Sequence, residues 1–270
     1  MSVTNQRRVV ITGLGAISNL GHDTASTWSG MIEGRSGIGT ITAFEQDDRW
    51  PTTIAGEVRD WDPATKLDRS EIKKMDRFSK LGMWAAIEAM ENCGLDWQQG
   101  DPYRRGVVIG SGVGGIQTIE FYAGVLQEKG PRRLSPFTVP KLMVNAAAGN
   151  VSIRFNLKGV NSAPATACAT GGHALAEAYM FIASNQADFI LAGGAEGAVS
   201  PVCVSSFSAM KALSTRNDEP TLASRPFDRD RDGFVLSEGA AVLAVEELEH
   251  AKARGANILA EVVGFGITGD

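Results

Sequence analysis

The sequence predicts an α/β protein in which short buried strands alternate with helices. Three observations support this fold class. Apolar runs at residues 8–14, 105–109 and 188–193 have the length of buried strands and end at or near glycine. Segments with helical periodicity lie between these runs. The chain also contains 31 glycines among 270 residues, which exceeds the usual ~7% and indicates many tight turns and close backbone contacts.

The elements before Cys168 follow from the spacing of apolar residues and from the residues that end each run. Apolar residues recur near helical spacing from Met75 to Met90 and Gly94 follows, so one long helix is expected over residues 68–93. The predicted elements of this part are a strand at 8–14, helices at 23–34 and 68–93, a strand at 105–109, helices at about 116–126 and 141–155, and a strand at about 159–167. Residues 36–65 and 130–140 are expected to be irregular.

The elements after Cys168 show the same alternation. The small residues of segment 171–185 predict a tightly packed helix, whereas the charged segment 214–234, with two prolines, predicts a surface loop. The remaining predicted elements are a strand at 188–193, a helix at 202–213, a strand at 239–245, a short helix at 246–254 and a last strand at 258–266.

Composition and charge exclude several classes of protein. The net charge of −5 excludes a nucleic-acid binder that works by bulk charge. No run reaches the ~18 apolar residues of a membrane span. The cysteines Cys93, Cys168 and Cys203 are far apart and lack CxxC spacing, so neither a disulfide framework nor a zinc or other metal site is expected. Reduced thiols indicate a cytoplasmic protein. From the net charge and the lengths of the apolar runs we expect no nucleic-acid or membrane partner.

The segment Gly110–Gly115 matches GxGxxG between a strand and a helix. A dinucleotide site would also need an acidic residue about 20 positions further on, at the end of the next strand. The nearest candidate, Glu128, follows no strand. We therefore interpret the glycines as a tightly packed turn and expect no cofactor.

Cys168 is the candidate nucleophile. It stands where a predicted strand gives way to a helix, and small residues surround it in PATACATGGH. A helix N-terminus favours the thiolate form of a cysteine, and small neighbours leave room for a substrate carbonyl. The other two cysteines lie in contexts typical of core residues. The sequence places none of the three histidines as a base for this thiol: His22, His173 and His250.

Basic residues cluster on the predicted long helix. Lys73, Arg77 and Lys80 fall at i, i+4 and i+7 and would share one face. Such a face is either simply solvated or a docking patch for an acidic partner, and spacing alone does not decide between the two.

Eight segments together resemble the type II β-ketoacyl-acyl-carrier-protein synthases, which are condensing enzymes of the thiolase fold. They occur in family order along essentially the whole chain: RRVVITGLG, SGVGG, SPFTVP, TACATGGHAL, LAGGAE, ALSTRND, ASRPFDRDRDGFVLSEGA and VGFGITGD. The cysteine segment and DRDGFVLSEGA are the most specific. The resemblance implies thiolase-like αβαβα layers, with the N-terminal half over residues 1–256 and the first strand of the C-terminal half over residues 257–270.

The resemblance also implies a decarboxylating condensation in fatty acid biosynthesis. Cys168 would take an acyl group from acyl carrier protein as a thioester, which the carbanion from malonyl-carrier protein would then attack. The backbone N–H of Cys168 would be one oxyanion-hole donor. The residues carried over from the family are the acyl-pocket residues Val113, Thr138 and Phe207, with Thr138 reaching from the partner subunit of a homodimer, and the carrier-protein contacts Lys73, Lys74 and Lys211.

One part of the family pattern does not occur in these 270 residues. Two catalytic histidines, a lysine and a Gly-Phe-Gly-Gly loop lie in the second half of the family fold. We therefore expect a truncated chain that does not condense acyl and malonyl units on its own. Three alternatives stay open: a non-catalytic module for dimerisation or carrier-protein docking, a polyketide-type ketosynthase, and a generic α/β protein with a core cysteine.

Overall fold

The structure, a computed structural model, describes residues 7–269. The outer ends of the two predicted domains, residues 1–6 and residue 270, lie outside this range. The described residues form eight strands: β1 (Val9–Ile17), β2 (Gly39–Thr40), β3 (Ile54–Ala55), β4 (Arg105–Gly110), β5 (Asn161–Ser162), β6 (Phe189–Glu196), β7 (Gly239–Glu247) and β8 (Ala260–Val262).

Nine α-helices lie between or after these strands, together with several short 3₁₀ turns, in the same described range. They are α1 (Thr24–Ile32), α2 (Arg69–Lys74), α3 (Arg77–Cys93), α4 (Ile116–Lys129), α5 (Thr138–Leu142), α6 (Ala146–Arg154), α7 (Thr170–Ala183), α8 (Pro201–Ala209) and α9 (Leu248–Ala253). None of these helices is long and apolar enough to cross a membrane.

Six strands form one mixed sheet in the order β5-β4-β6-β7-β1-β8. Strands β4, β5 and β6 run parallel to one another, and β7 is antiparallel to both β6 and β1. The predicted α/β class is therefore confirmed. The last strand is shorter than expected and pairs with β1 at the end of the sheet, through Val9 and Val262 among others.

Helices cover both faces of this sheet. Helices α3 and α6 pack on one face, where Phe78, Leu191 and Val151 are fully buried in the larger core cluster. Helix α7 packs on the other face, with Ala174 and Ile182 buried against the sheet. These α/β/α layers bury the strands on both sides, as the continuous apolar runs in β4 and β6 require.

The predicted single helix over residues 68–93 is wrong, because the chain breaks between α2 and α3. Met75 is extended, with φ −114° and ψ 140°, and the buried Asp76 caps the start of α3 by accepting from the Phe78 amide. The Asp76 carboxylate also accepts from the amide and hydroxyl of Thr118 on α4. The buried carboxylate thus compensates the free amides at a new helix start.

Two other predicted boundaries also differ from the structure. Residues 141–155 divide into the end of α5 and all of α6, with Met143 extended between them. The predicted strand at 159–167 is only two residues long. The chain then continues as an irregular segment to Cys168, and this segment brings the cysteine to the end of the sheet.

Candidate active site

The carboxyl ends of β4, β5 and β6 and the start of β7 lie side by side at one end of the sheet. The register pairs Gly110 at the end of β4 with Gly194 of β6, and Glu196 at the end of β6 with Gly239 at the start of β7. Cys168 follows β5, which is parallel to β4. In open α/β sheets the carboxyl ends of parallel strands are the usual place for a ligand site.

Cys168 lies in a 3₁₀ turn, Ala167–Ala169, that runs directly into the 14-residue helix α7. The turn is held at its start because the Thr166 amide donates to Thr170 Oγ1 at 2.9 Å. Ala167 has φ +50°, a left-handed conformation that is unfavourable for a residue with a side chain. The cysteine itself is exposed, as the sequence predicted for a reachable thiol at the start of a helix.

Residues 111–114 form a tight loop above the end of β6. The Glu196 carboxylate accepts from the Ser111 hydroxyl at 3.0 Å and from the amides of Gly112 and Val113 at 2.9 and 3.1 Å. Gly114 has φ +75°, which glycine adopts without strain. The amides that would donate to a bound phosphate thus already donate to a protein carboxylate. This agrees with the interpretation of the motif as a packed turn.

Burial raises the pKa of Glu196, although its three hydrogen bonds act in the opposite direction. The carboxylate is therefore desolvated and depends on this loop for its partners.

An open cavity of about 650 Å³ joins these parts. Its lining includes Cys168, Val113, Glu196, Phe207 and Phe234. The rings of Phe207 and Phe234 pack edge to face with centroids 5.3 Å apart. The cavity therefore combines an accessible thiol with a largely apolar wall, which suits a substrate that carries a reactive carbonyl on an apolar chain.

A larger cavity, of about 830 Å³, lies elsewhere and is lined by both charged and apolar residues. Its charged groups already serve the fold. Glu238 is buried and forms an ion pair with Arg77, and the buried Glu57 accepts from the amides of Thr42 and Ala43. Among the described residues that line it there is no cysteine or histidine. The cavity around Cys168 is the better candidate.

The three histidines lie away from the Cys168 cavity. His22 Nε2 is 2.7 Å from the Arg59 carbonyl oxygen, and His250 Nδ1 contacts Glu246 Oε1 at 2.5 Å. His173 is on the first turn of α7. Within residues 7–269, the cavity lining contains no histidine. That Cys168 has no imidazole partner in this part of the chain stays a prediction.

The structure brings together three of the predicted site residues and separates a fourth. Val113 and Phe207 line the same cavity as Cys168. Thr138 begins α5, where its hydroxyl donates to the Ser135 carbonyl at 2.8 Å, and it does not line this cavity. Its predicted reach into the pocket of a partner subunit stays a prediction, as do the roles of the other three.

The predicted basic face of residues 73, 77 and 80 is not one helical face, because the helix break separates Lys73 on α2 from Arg77 and Lys80 on α3. Arg77 binds Glu238, and burial lowers the pKa of Lys80. Lys73 and Lys74 stay exposed in the last turn of α2, and Lys211 is exposed after α8. Within the described range none of these three lysines forms an ion pair, whereas Lys66 and Lys252 do.

Two residues of the cavity were missed by the sequence reasoning. Phe234 belongs to the segment DRDGF, whose charge pattern predicted only a surface loop. Glu196 ends the motif LAGGAE, in which an acid directly after an apolar strand was the available signal. Both residues are positioned by contacts with residues that are distant in sequence.

Comparisons with known proteins now identify the family. The model of the β-ketoacyl synthase N-terminal domain matches residues 6–251. The chain belongs to the β-ketoacyl synthase family. It is 50% identical over 265 residues to a 3-oxoacyl-(acyl-carrier-protein) synthase 2 of Coxiella burnetii, covering 98% of this chain and 64% of the relative. It is 49% identical to the protein of the same name from Vibrio cholerae, with the same coverage.

Solved structures agree with this family and confirm the thiolase-like fold. The crystal structure of a β-ketoacyl synthase from Burkholderia phymatum superimposes with a TM-score of 0.87 at 36% identity, covering 96% of this chain and 64% of that one. A type II polyketide ketosynthase in complex with its acyl-carrier protein has a TM-score of 0.84 at 30% identity. The chain therefore spans about 64% of the length of the curated β-ketoacyl synthases it matches.

Proposed function

We propose that this β-ketoacyl synthase is a 3-oxoacyl-(acyl-carrier-protein) synthase of fatty acid biosynthesis, in which Cys168 accepts the acyl group. The observation that carries the proposal is the exposed Cys168 thiol at the start of α7, inside an apolar cavity. The names of the relatives at 43–50% identity support it.

The acyl-transfer step uses the thiol directly. The Cys168 sulfur attacks the carbonyl carbon of an acyl thioester, a new S–C bond forms, and the bond to the carrier's sulfur breaks. The thiol proton leaves with the released carrier thiol. The Cys168 amide lies in the first turn of its helical segment, where amides lack helical acceptors, and would bind the carbonyl oxygen as negative charge develops.

In a complete enzyme of this family, the condensation step would then consume this thioester. A malonyl thioester loses carbon dioxide, and the carbanion attacks the acyl carbonyl on Cys168. The C–S bond to the cysteine breaks, and the sulfur leaves as a thiolate. Val113 and Phe207 would contact the acyl chain, and Thr138 would reach the equivalent cavity of a partner subunit in a homodimer.

The partner that delivers the acyl group would be an acidic acyl carrier protein. Lys73, Lys74 and Lys211 are exposed on a chain whose net charge is −5, so they provide local positive charge on an otherwise acidic molecule. Opposite charges on two partners steer their encounter and fix their orientation. We place the carrier-protein contact at these lysines.

Intact-mass spectrometry tests the acyl-transfer proposal. The 270-residue chain is incubated with octanoyl-acyl carrier protein, and one octanoyl group per chain is expected. The variant Cys168→Ala should gain no mass, whereas the control Cys203→Ala, which removes a buried thiol, should be acylated like the wild type. An adduct that persists in Cys168→Ala would overturn the proposal. Carrier-protein binding without any adduct would favour the non-catalytic docking module.

A further inference from the structure

Glu196 connects two segments that are distant in sequence. It is the last residue of β6, and its carboxylate holds residues 111–113 through three hydrogen bonds of 2.9 to 3.1 Å. The Ser111 hydroxyl in turn accepts from the Gly114 amide at 2.9 Å. The whole loop is therefore organised around one carboxylate.

The same loop supports the backbone that carries the nucleophile. A Cβ atom added at Gly112 would lie 3.2 Å from the Ala167 Cα and 2.9 Å from Glu196 Oε2. Glu196 and the residue that precedes Cys168 both lie close to Gly112, on the side where a side chain would project. Ala167 has an unfavourable left-handed φ, and such a conformation persists only where the surroundings impose it.

We propose that Glu196 is a positioning residue, which holds Gly112 against Ala167 and thereby fixes the backbone turn that presents Cys168. The proposal adds a positioning residue to the function proposed above. Its predicted effect on the acylation rate of Cys168 rests on that function. Glu196 needs no contact with the substrate for this role, since it acts through the loop and the turn.

One carboxylate satisfies three hydrogen-bond donors of this loop. Removing it would leave the Gly112 and Val113 amides and the Ser111 hydroxyl without their acceptor next to an apolar cavity, which is unfavourable. The loop would move to find other acceptors, and Ala167 would lose the support that holds its left-handed conformation. The turn around Cys168 would then sample other conformations.

Hydrogen–deuterium exchange tests this link without any substrate. In Glu196→Ala, amides of residues 111–114 and of residues 166–170 should exchange faster than in the wild type. The control is Glu88→Ala on α3, which removes a buried carboxylate that accepts from the amides of Ala16 on β1 and Thr24 on α1 and does not line the cavity. This control variant should leave the amide exchange rates of residues 111–114 and 166–170 unchanged. Unchanged exchange at 166–170 in a folded Glu196→Ala would overturn the proposal.

Acylation kinetics test the consequence for chemistry. With octanoyl-acyl carrier protein, Glu196→Ala should lower the acylation rate at saturating donor by about tenfold or more, because small misplacements of reacting groups are costly. The donor concentration for half-maximal rate should not change, since the predicted docking lysines lie outside this loop. A proportional rise in that concentration, with the saturating rate intact, would contradict a positioning role.

The conservative variant distinguishes positioning from a need for negative charge. In Glu196→Gln, the amide oxygen can accept from Gly112 and Val113, as Oε2 does now, and the amide nitrogen can donate to Ser111. Exchange and acylation should therefore return to within about threefold of wild type. A Gln variant as impaired as the Ala variant would overturn the proposal. If the wild type is not acylated at all, the proposed function fails, while the exchange experiment still decides the positioning role.

Discussion

The loop beside Cys168 is held by three hydrogen bonds from residues 111–113 to Glu196. Val113 is partly exposed at the cavity wall, and its own amide is held by Glu196. Cys168 could be predicted at a helix start because the signal is local: small residues lead into the helix. Glu196 could not, since its partners Ser111 and Val113 are 85 and 83 residues away.

A larger side chain at position 113 should shorten the acyl chain that the cavity accepts. In Val113→Phe the acylation rate with a dodecanoyl donor should fall about tenfold relative to a butanoyl donor, which corresponds to ~1.4 kcal/mol. The two rates are compared by intact-mass time courses. Ile32→Phe, on the exposed face of α1, is the control and should leave the ratio unchanged. An unchanged ratio in Val113→Phe would remove Val113 from the acyl pocket.

Among the elements, the break between α2 and α3 is the feature that the apolar periodicity did not predict. The apolar periodicity continues across the break, because Met75 and Phe78 are both buried, and periodicity alone therefore predicted one helix. The deciding interaction is tertiary: Asp76 caps α3 and at the same time binds Thr118 of α4. The strands β1, β4, β6 and β7 were predicted correctly because their apolar runs are mostly buried.

Removal of the Asp76 carboxylate should destabilise the fold. Asp76→Ala loses a helix cap and leaves the buried Thr118 amide and hydroxyl without an acceptor, so the free energy of unfolding should fall by about 2–3 kcal/mol. Urea denaturation followed by circular dichroism measures this change. Asp68→Ala removes the exposed cap of α2 and should cost clearly less. Equal losses in the two variants would show that the contact with Thr118 contributes nothing.

At the scale of the whole molecule, the site exists only where strands from separate parts of the chain end together. The lining segments around residues 111, 168, 196 and 237 meet because β4 and β6 are parallel neighbours and β7 returns antiparallel beside β6. No local pattern predicts that these segments lie together. Residue patterns therefore indicated only the cysteine, whereas the pocket residues were carried over from the family resemblance. The lysines proposed for docking likewise come from two distant segments.

Charge reversal of these lysines should impair delivery by the carrier protein and leave the chemistry intact. The combined variant Lys73→Glu, Lys74→Glu and Lys211→Glu should raise the half-saturating concentration of octanoyl-carrier protein about tenfold or more at low salt, with less effect at high salt. Acylation by a small octanoyl thioester should be unchanged. Lys252→Glu, on α9, is the matched control. Equal impairment with both donors would place the lysines outside a docking surface.

The central claim, that Cys168 is the acyl acceptor, is tested most directly by peptide mapping of the wild-type chain after exposure to octanoyl-acyl carrier protein. The account predicts the octanoyl mass on the peptide that contains Cys168, with the peptides of Cys93 and Cys203 unmodified. Octanoyl mass on either of those peptides, or on none, would contradict it.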